Sequence, residues 1–191
     1  VHSKKPIQSG PTRRQFLAFA GAGAAIAGGA APGRAMAGYW RVTERKIALH
    51  NPWSEEYLDL AYWRDGRYLP GPLADFDYLL RDKRSGEVGE MFRGVFDQLF
   101  WLGRALGGDA PFGIVSGFRS ISTNNMLRAH SEGVARNSLH THGMAIDVRM
   151  AGVAEERIWQ TAKELGLGGA GLYRRSSFVH LDVGPVRSWN V

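Results

Sequence analysis

Between Trp40 and Asn51 apolar and polar residues alternate in patches that include the β-formers Val42 and Ile47, which predicts a strand. Glu56 to Leu69 holds two apolar runs split by Arg64-Asp65-Gly66-Arg67. Asp-Gly between strand-like runs predicts a hairpin. From Leu73 to Leu106 the period lengthens to that of a helix, with a break around Ser85-Gly86. Met91, Val95, Leu99 and Leu102 recur at three- and four-residue spacing, with Phe92, Phe96 and Phe100 beside them. A stripe at that spacing is core packing far more often than a binding surface, so these aromatics are read as core.

The C-terminal half alternates short elements. Phe112 to Ser116 predicts a buried strand, and Thr123 to Glu132 a helix capped by Ser122 or Thr123. Ala145 to Met150 reads as a strand and Val153 to Leu165 as a helix. Glycine-rich Gly166 to Gly171 leads into a strand near Leu172-Tyr173, and Phe178 to Val183 is read as the last strand. The fold class expected is α+β: one domain over residues 38–191, built as a small, mostly antiparallel sheet packed by helices.

Residues 1–37 carry a different pattern. Thr12-Arg13-Arg14-Gln15-Phe16-Leu17 opens an Ala/Gly-rich stretch to about Ala31, followed by the small-x-small run Ala35-Met36-Ala37. The apolar stretch is too short and glycine-rich for a membrane span, and it reads as a twin-arginine export signal. The expected location is therefore the periplasm or cell envelope, with the twin-arginine export machinery as a partner.

This segment also changes the charge argument. The whole chain has 24 Lys plus Arg against 18 Asp plus Glu. Lys4, Lys5, Arg13, Arg14 and Arg34 fall in the signal, which has no acid, so the remainder is nearly neutral. A nucleic-acid partner loses its main support and is not expected. With no cysteine, the chain has neither disulfides nor a thiol nucleophile.

The candidate chemistry lies near the C-terminal end. Ser138-Leu139-His140-Thr141-His142-Gly143-Met144-Ala145-Ile146-Asp147 and Ser177-Phe178-Val179-His180-Leu181-Asp182 bring two imidazoles and a carboxylate into play. Ile146 and Val148 flank Asp147, so its carboxylate points to the opposite strand face from theirs. A carboxylate there is costly to bury without a partner, and either a metal or an arginine such as Arg119 satisfies it. His140, Asp147 and His180 suit Zn²⁺, one ion per chain, and three protein ligands leave a fourth position for water. Hydrolysis is the leading expectation.

The run from Ser138 to Asp147 resembles the S-x-H-x-x-G-x-A-x-D motif of the zinc D-alanyl-D-alanine peptidase superfamily, whose fold is shared with hedgehog signalling domains. Ser116-Gly117-Phe118-Arg119-Ser120, Thr123-Asn124, Phe178 to Gly184 and Pro185-Val186-Arg187-Ser188-Trp189 resemble its exported murein endopeptidase branch. The resemblance covers roughly residues 112–189. It implies a hedgehog/DD-peptidase-like fold, with His140, Asp147 and His180 as zinc ligands. Arg119 then stands by the scissile carbonyl as a catalytic and substrate-binding group; Asn124 and Ser138 are candidates for substrate binding, with orientation of the loop as the alternative that suits them better. The implied substrate is the cross-link or stem peptides of bacterial peptidoglycan.

Relatives place a general base, Glu or His, three or two residues before the last ligand. Here those positions hold Ser177 and Phe178, neither of which accepts a proton usefully. Asp182 shares a strand face with His180 and is expected to act as base or to hydrogen-bond a ligand, with His142 as runner-up. Trp189 is read most simply as core. The missing base keeps open a second class, a non-catalytic, metal-containing peptidoglycan-binding or interaction module. A serine acylation mechanism lacks both Ser-x-x-Lys and Gly-x-Ser-x-Gly.

Overall fold

The computed structural model describes residues 42–191 apart from Asp109 and residues 131–133. The export signal expected over residues 1–37 lies outside the described residues. Among the described residues eight strands form one mixed sheet in the order β3-β2-β1-β4-β5-β7-β6-β8, and four α-helices accompany it. Neighbouring strands are antiparallel except for the pairs β1–β4 and β6–β8. The α+β expectation holds, with a larger sheet than anticipated.

The N-terminal strands β1 (Glu44–Asn51) and β2 (Glu56–Arg64) pair along their whole length, and β3 (Arg67–Tyr68) completes the predicted hairpin. Asp65 and Gly66 both take positive φ, 47° and 82°, as a tight two-residue turn between twisted strands requires. Helix α1 (Pro70–Leu79) starts on a proline, whose missing N–H costs nothing in the first turn. Helix α2 (Arg93–Leu106) follows and ends at Gly107 in the left-handed conformation.

The connection between these helices is longer than the break expected at Ser85-Gly86, and it takes in Met91 and Phe92. Met91 is nevertheless buried, as are Val95, Phe96, Leu99, Phe100 and Leu102 of α2. The rings of Tyr62, Phe96 and Phe76 meet at centroid separations of 5.8 and 5.4 Å, so the aromatic stripe is core.

Strand β4 (Phe112–Ser116) runs into helix α3 (Ile121–His130), which begins two residues earlier than predicted. Its cap is Ser120, whose Oγ accepts the Thr123 N–H at 3.1 Å, rather than Ser122 or Thr123. Buried Asp82 accepts both the Ser120 N–H and its hydroxyl, each at 2.8 Å, and so anchors this corner to the α1–α2 connection. Strand β5 (Ala145–Met150), helix α4 (Glu155–Leu165), β6 (Gly169–Tyr173) and β7 (Phe178–Asp182) follow the predicted order.

A further strand, β8 (Arg187–Asn190), comes after β7, which is therefore not the last. Most of β8 is exposed, and it joins the sheet through backbone pairing with β6, so it leaves no hydrophobic alternation to read. Among the described residues no helix is long and apolar enough to cross a membrane.

Candidate metal centre

On one sheet face Ile146, Val148, Val179 and Leu181 are buried in the core. The pleat turns their neighbours to the other face. There, pairing sets Ser116, Asp147, His180, Gly171 and Trp189 in one row across β4, β5, β7, β6 and β8. Ala145, Asp182, Gly169 and Arg187 form the next row. Two residues of β7 thus carry chemistry side by side.

His140 reaches the first row from a 3-10 turn, Leu139–His142, closed by Gly143 at φ 64°. The backbone of Glu90 and Met91 lies against Gly143 so closely that a Cβ there would collide with it. The Gly143 carbonyl accepts the Phe92 N–H at 2.7 Å, so the turn is clamped to the segment before α2. His140 is clamped as well: Nδ1–H donates to the Gly117 carbonyl at 2.8 Å, and its own carbonyl accepts the Arg119 N–H at 3.2 Å. Because a carbonyl only accepts, Nδ1 carries a proton, and Nε2 is the nitrogen that faces the row.

His140 Nε2 lies 3.3 Å from Asp147 Oδ1 and 3.3 Å from His180 Nδ1, and His180 Nδ1 lies 2.8 Å from the same Asp147 oxygen. Burial pushes the Asp147 carboxyl up, but the His140 charge and hydrogen bonds from both imidazoles outweigh it and hold the group below the usual carboxylate range. Burial lowers His180, while hydrogen bonds to Asp147 and Asp182 outweigh it and push the imidazole up to about 9. His180 is then an imidazolium donating Nδ1–H to Asp147.

A divalent cation fits in place of that proton. Separations of 2.8, 3.3 and 3.3 Å give a circumscribed radius of about 1.8 Å, which leaves a point ~2 Å from all three donors, the distance zinc requires. Two nitrogens and one oxygen also suit zinc chemically. Of the described residues, His140, Asp147 and His180 are the set able to hold one ion.

Asp182 does not stand where a base for water at this centre would stand. It is fully buried behind His180, on the Nε2 side, whereas the convergence point lies on the Nδ1 side. Its Oδ2 accepts His180 Nε2–H at 3.1 Å and Arg187 Nη2–H at 2.8 Å; its Oδ1 accepts the Gly184 N–H at 2.8 Å and Arg187 Nη1–H at 3.0 Å. Burial raises this carboxyl, and the hydrogen bonds from His180 and Arg187 overcome that and bring it down to about 2. An ionised carboxylate engaged in this way orients the imidazole behind it.

Arg119 sits beside the centre, its Nη2 4.0 Å from Asp147 Oδ2 and its guanidinium close to Ser116 and Asn124. Buried Asn124 uses its Nδ2 on the carbonyls of Ala135 and Arg136, at 3.2 and 3.4 Å, and its Oδ1 on Arg119. Both ends of that amide are occupied, so Asn124 holds Arg119 and the loop rather than facing the pocket. Ser138 does line the pocket, together with Arg119, Tyr173, Phe178 and Trp189, around a volume of about 240 Å³. His142 is exposed and does not contribute to that lining.

The family described as "Peptidoglycan L,D-endopeptidase MepK" matches residues 40–189. The chain belongs to this family. It is 41% identical over 180 residues to the Peptidoglycan L,D-endopeptidase MepK of Escherichia coli (strain K12), covering 93% of this chain and 96% of that protein. The protein of the same name from Shigella flexneri matches with the same identity and coverage. The Probable peptidoglycan L,D-endopeptidase MepK of Haemophilus influenzae is 43% identical over 123 residues, 64% of this chain and 66% of the relative. The match to the MepK family thus reaches well beyond the residues 112–189 legible as a resemblance.

Several pocket residues carried no role in the sequence reading. Trp189 is half-buried, not core: it leans on His180 at a centroid separation of 5.4 Å and donates Nε1–H to the Tyr173 hydroxyl at 3.3 Å. Tyr173 in turn stacks on Phe178 at 4.6 Å. Gly171 lets Trp189 lie across the strand, and Gly169 lets Arg187 reach Asp182; a Cβ at either would collide with those side chains. Glycines two apart on a strand face, opposite His180 and Asp182, were the available signal.

Proposed function

We propose that this chain is a zinc-dependent peptidoglycan endopeptidase acting in the periplasm or cell envelope, and that it cuts the L,D-peptide bonds named for its relatives. His140 Nε2, Asp147 Oδ1 and His180 Nδ1 would hold one Zn²⁺. The observation that carries this reading is the convergence of these three donors in a chain of the MepK family. The finer expectations join it: a hedgehog/DD-peptidase-like fold, export of folded cargo by the twin-arginine machinery, and peptidoglycan peptides rather than nucleic acid as partner.

Zinc bound there supplies a Lewis acid for the scissile carbonyl and lowers the pKa of a nearby water. The protein's residues do the rest. Arg119, held by Asn124 and Ser116, presents a fixed positive charge to the carbonyl oxygen as it gains negative charge. Tyr173, whose oxygen accepts from Trp189, keeps its hydroxyl hydrogen for a second donor bond into the pocket. Ser138 lines the same pocket. Asp182 and Arg187 fix the orientation of His180 and keep its Nε2 protonated, so that Nδ1 is the donor.

One observation favours the non-catalytic alternative: among the described residues lining the pocket, no carboxylate other than Asp147 is present to act as base. Digestion of purified sacculi, with mass analysis of released fragments with and without chelator, separates the two. The peptidase reading expects chelator-sensitive release of peptides cut at an L,D bond. Metal content without any release would leave only the binding module.

A further inference from the structure

Arg119 is a wall shared by two clefts. It lines the pocket of the metal centre and also a cleft between the α1–α2 connection and β4 whose lining includes Trp53, Lys83 and Arg84. We propose that Lys83 and Arg84, with the outer edge of Arg119, form a subsite for a free carboxylate of the peptide substrate, outside the bond that is cut. The proposal rests on the peptidase reading and extends it to which peptides are held.

Three observations carry it. First, of the four cations lining this cleft only Arg81 has a close acid, Glu56 at 2.8 Å; the other three have none within it. Among the described residues neither Lys83 nor Arg84 has an ion-pair partner, and Arg119 has only Asp147 at 4.0 Å, on the metal side. Asp82 lies in the same lining, but it is buried and its oxygens are taken by Ser120, Arg84 and Ser85.

Second, Lys83 is held in place before any ligand arrives. Its ammonium donates to the Val115 carbonyl at 3.3 Å and stands 4.0 Å above the ring of Trp53, which is 68% exposed. That ordering reduces the entropy an ionic contact otherwise loses. Third, the three cations repel one another. Burial, first, and then the charges of Arg84 and Arg119 disfavour the charged form of Lys83 more than Asp147 and Asp82 favour it. An arriving anion relieves that repulsion, and Arg84 offers a planar fork suited to a carboxylate.

The chemistry selects a carboxylate rather than a bulky group. The cleft is small, about 20 Å³, and the exposed Trp53 ring in its lining suits the aliphatic stem that carries an acid in a peptide. A substrate spanning Arg119 would thus place its scissile amide on one side and a free acid on the other.

The test uses the full chain and two forms of one purified muropeptide, with its carboxylates free or converted to carboxamides. Binding to metal-free protein by calorimetry and KM with the zinc-loaded protein are both measured, for wild type, Lys83→Gln, Arg84→Gln and the double variant. The expected result is about tenfold weaker binding, and a KM raised to match, for the free acid in the double variant. The amide form should be unaffected, kcat and zinc content unchanged, and the difference should shrink at high salt. Lys83→Arg should restore binding. Equal weakening of both peptides, or no change in either, overturns the subsite. A wild type that binds the acid selectively but releases nothing from any peptide would defeat the peptidase reading and leave the subsite standing. Cleavage with no acid preference would do the reverse.

Discussion

Asp182 Oδ2 lies 3.1 Å from His180 Nε2, two residues back on the same strand, and its carboxylate is completely buried there. The side chains share a face because the strand repeats every two residues, so a local feature of β7 builds the support of the site. Arg187 reaches the same carboxylate from β8 across Gly169. His180 is thereby held between one acid that shares the centre and another that stands behind it.

Asp182→Asn distinguishes an orienting role from a proton-accepting one. The amide keeps an acceptor but loses the charge that holds His180 and Arg187. Zinc affinity should fall by roughly 10–100-fold, the usual cost of losing a ligand's supporting partner. Competition with a chromophoric chelator measures this. Undiminished zinc affinity with lost turnover would return Asp182 to the role of base.

Gly171→Ala tests the close approach of Trp189. The added methyl collides with the indole, which must swing away from His180 and release Tyr173. Overpacking of this kind costs about 1–3 kcal/mol. The expected outcome is a melting temperature lowered by several degrees, read by calorimetry, with turnover reduced more than the stability change alone accounts for.

Tyr173→Phe removes a single oxygen while keeping the stack on Phe178. If that hydroxyl donates to the substrate in the transition state, kcat should fall by about 10–100-fold, with KM and zinc content close to wild type. A change confined to KM would limit Tyr173 to holding substrate in its ground state.

Asp82 ties the stability of the molecule to acid pH. Burial raises its carboxyl, but hydrogen bonds from Thr123, Arg84 and Ser120 outweigh this and hold it well below its ordinary value of 3.8. A group depressed on folding stabilises above its unfolded pKa and loses that contribution as pH falls through the folded value. The protein should therefore lose stability on acidification below about pH 4. Asp82→Asn should remove roughly 2–4 kcal/mol at neutral pH and flatten the acid limb, because it leaves buried donors poorly matched. Urea unfolding from pH 7 to pH 3 measures both effects; parallel acid limbs in the two proteins would exclude Asp82 as their source.

Much of the site was legible because its residues lie in short local contexts. His140, Asp147 and His180 sit in runs whose composition already suggested ligands, and the strand period placed Asp182 on His180's face. What Asp182 does was not legible, because period alone does not say which imidazole nitrogen a neighbour meets. The helix cap was misplaced because Ser120, Ser122 and Thr123 all have capping chemistry; the hydrogen bond from Thr123 N–H to Ser120 Oγ decides among them. Strand β8 escaped notice because a mostly exposed, four-residue strand held by backbone pairing leaves almost no hydrophobic signature.

By itself, the sequence determined the α+β class, the order of most elements, the aromatic core of α2 and the identity of the three convergent side chains. These depend on periodicity and residue type, which are properties of neighbours along the chain. Only the tertiary structure decided that Trp189 and Arg187 return from the last strand to brace His180 and Asp182, and that Arg119 divides two clefts. Those relationships depend on the register between strands, with β8 pairing to β6 rather than to β7, which precedes it, and on glycines whose missing side chains leave room for partners that no local pattern names.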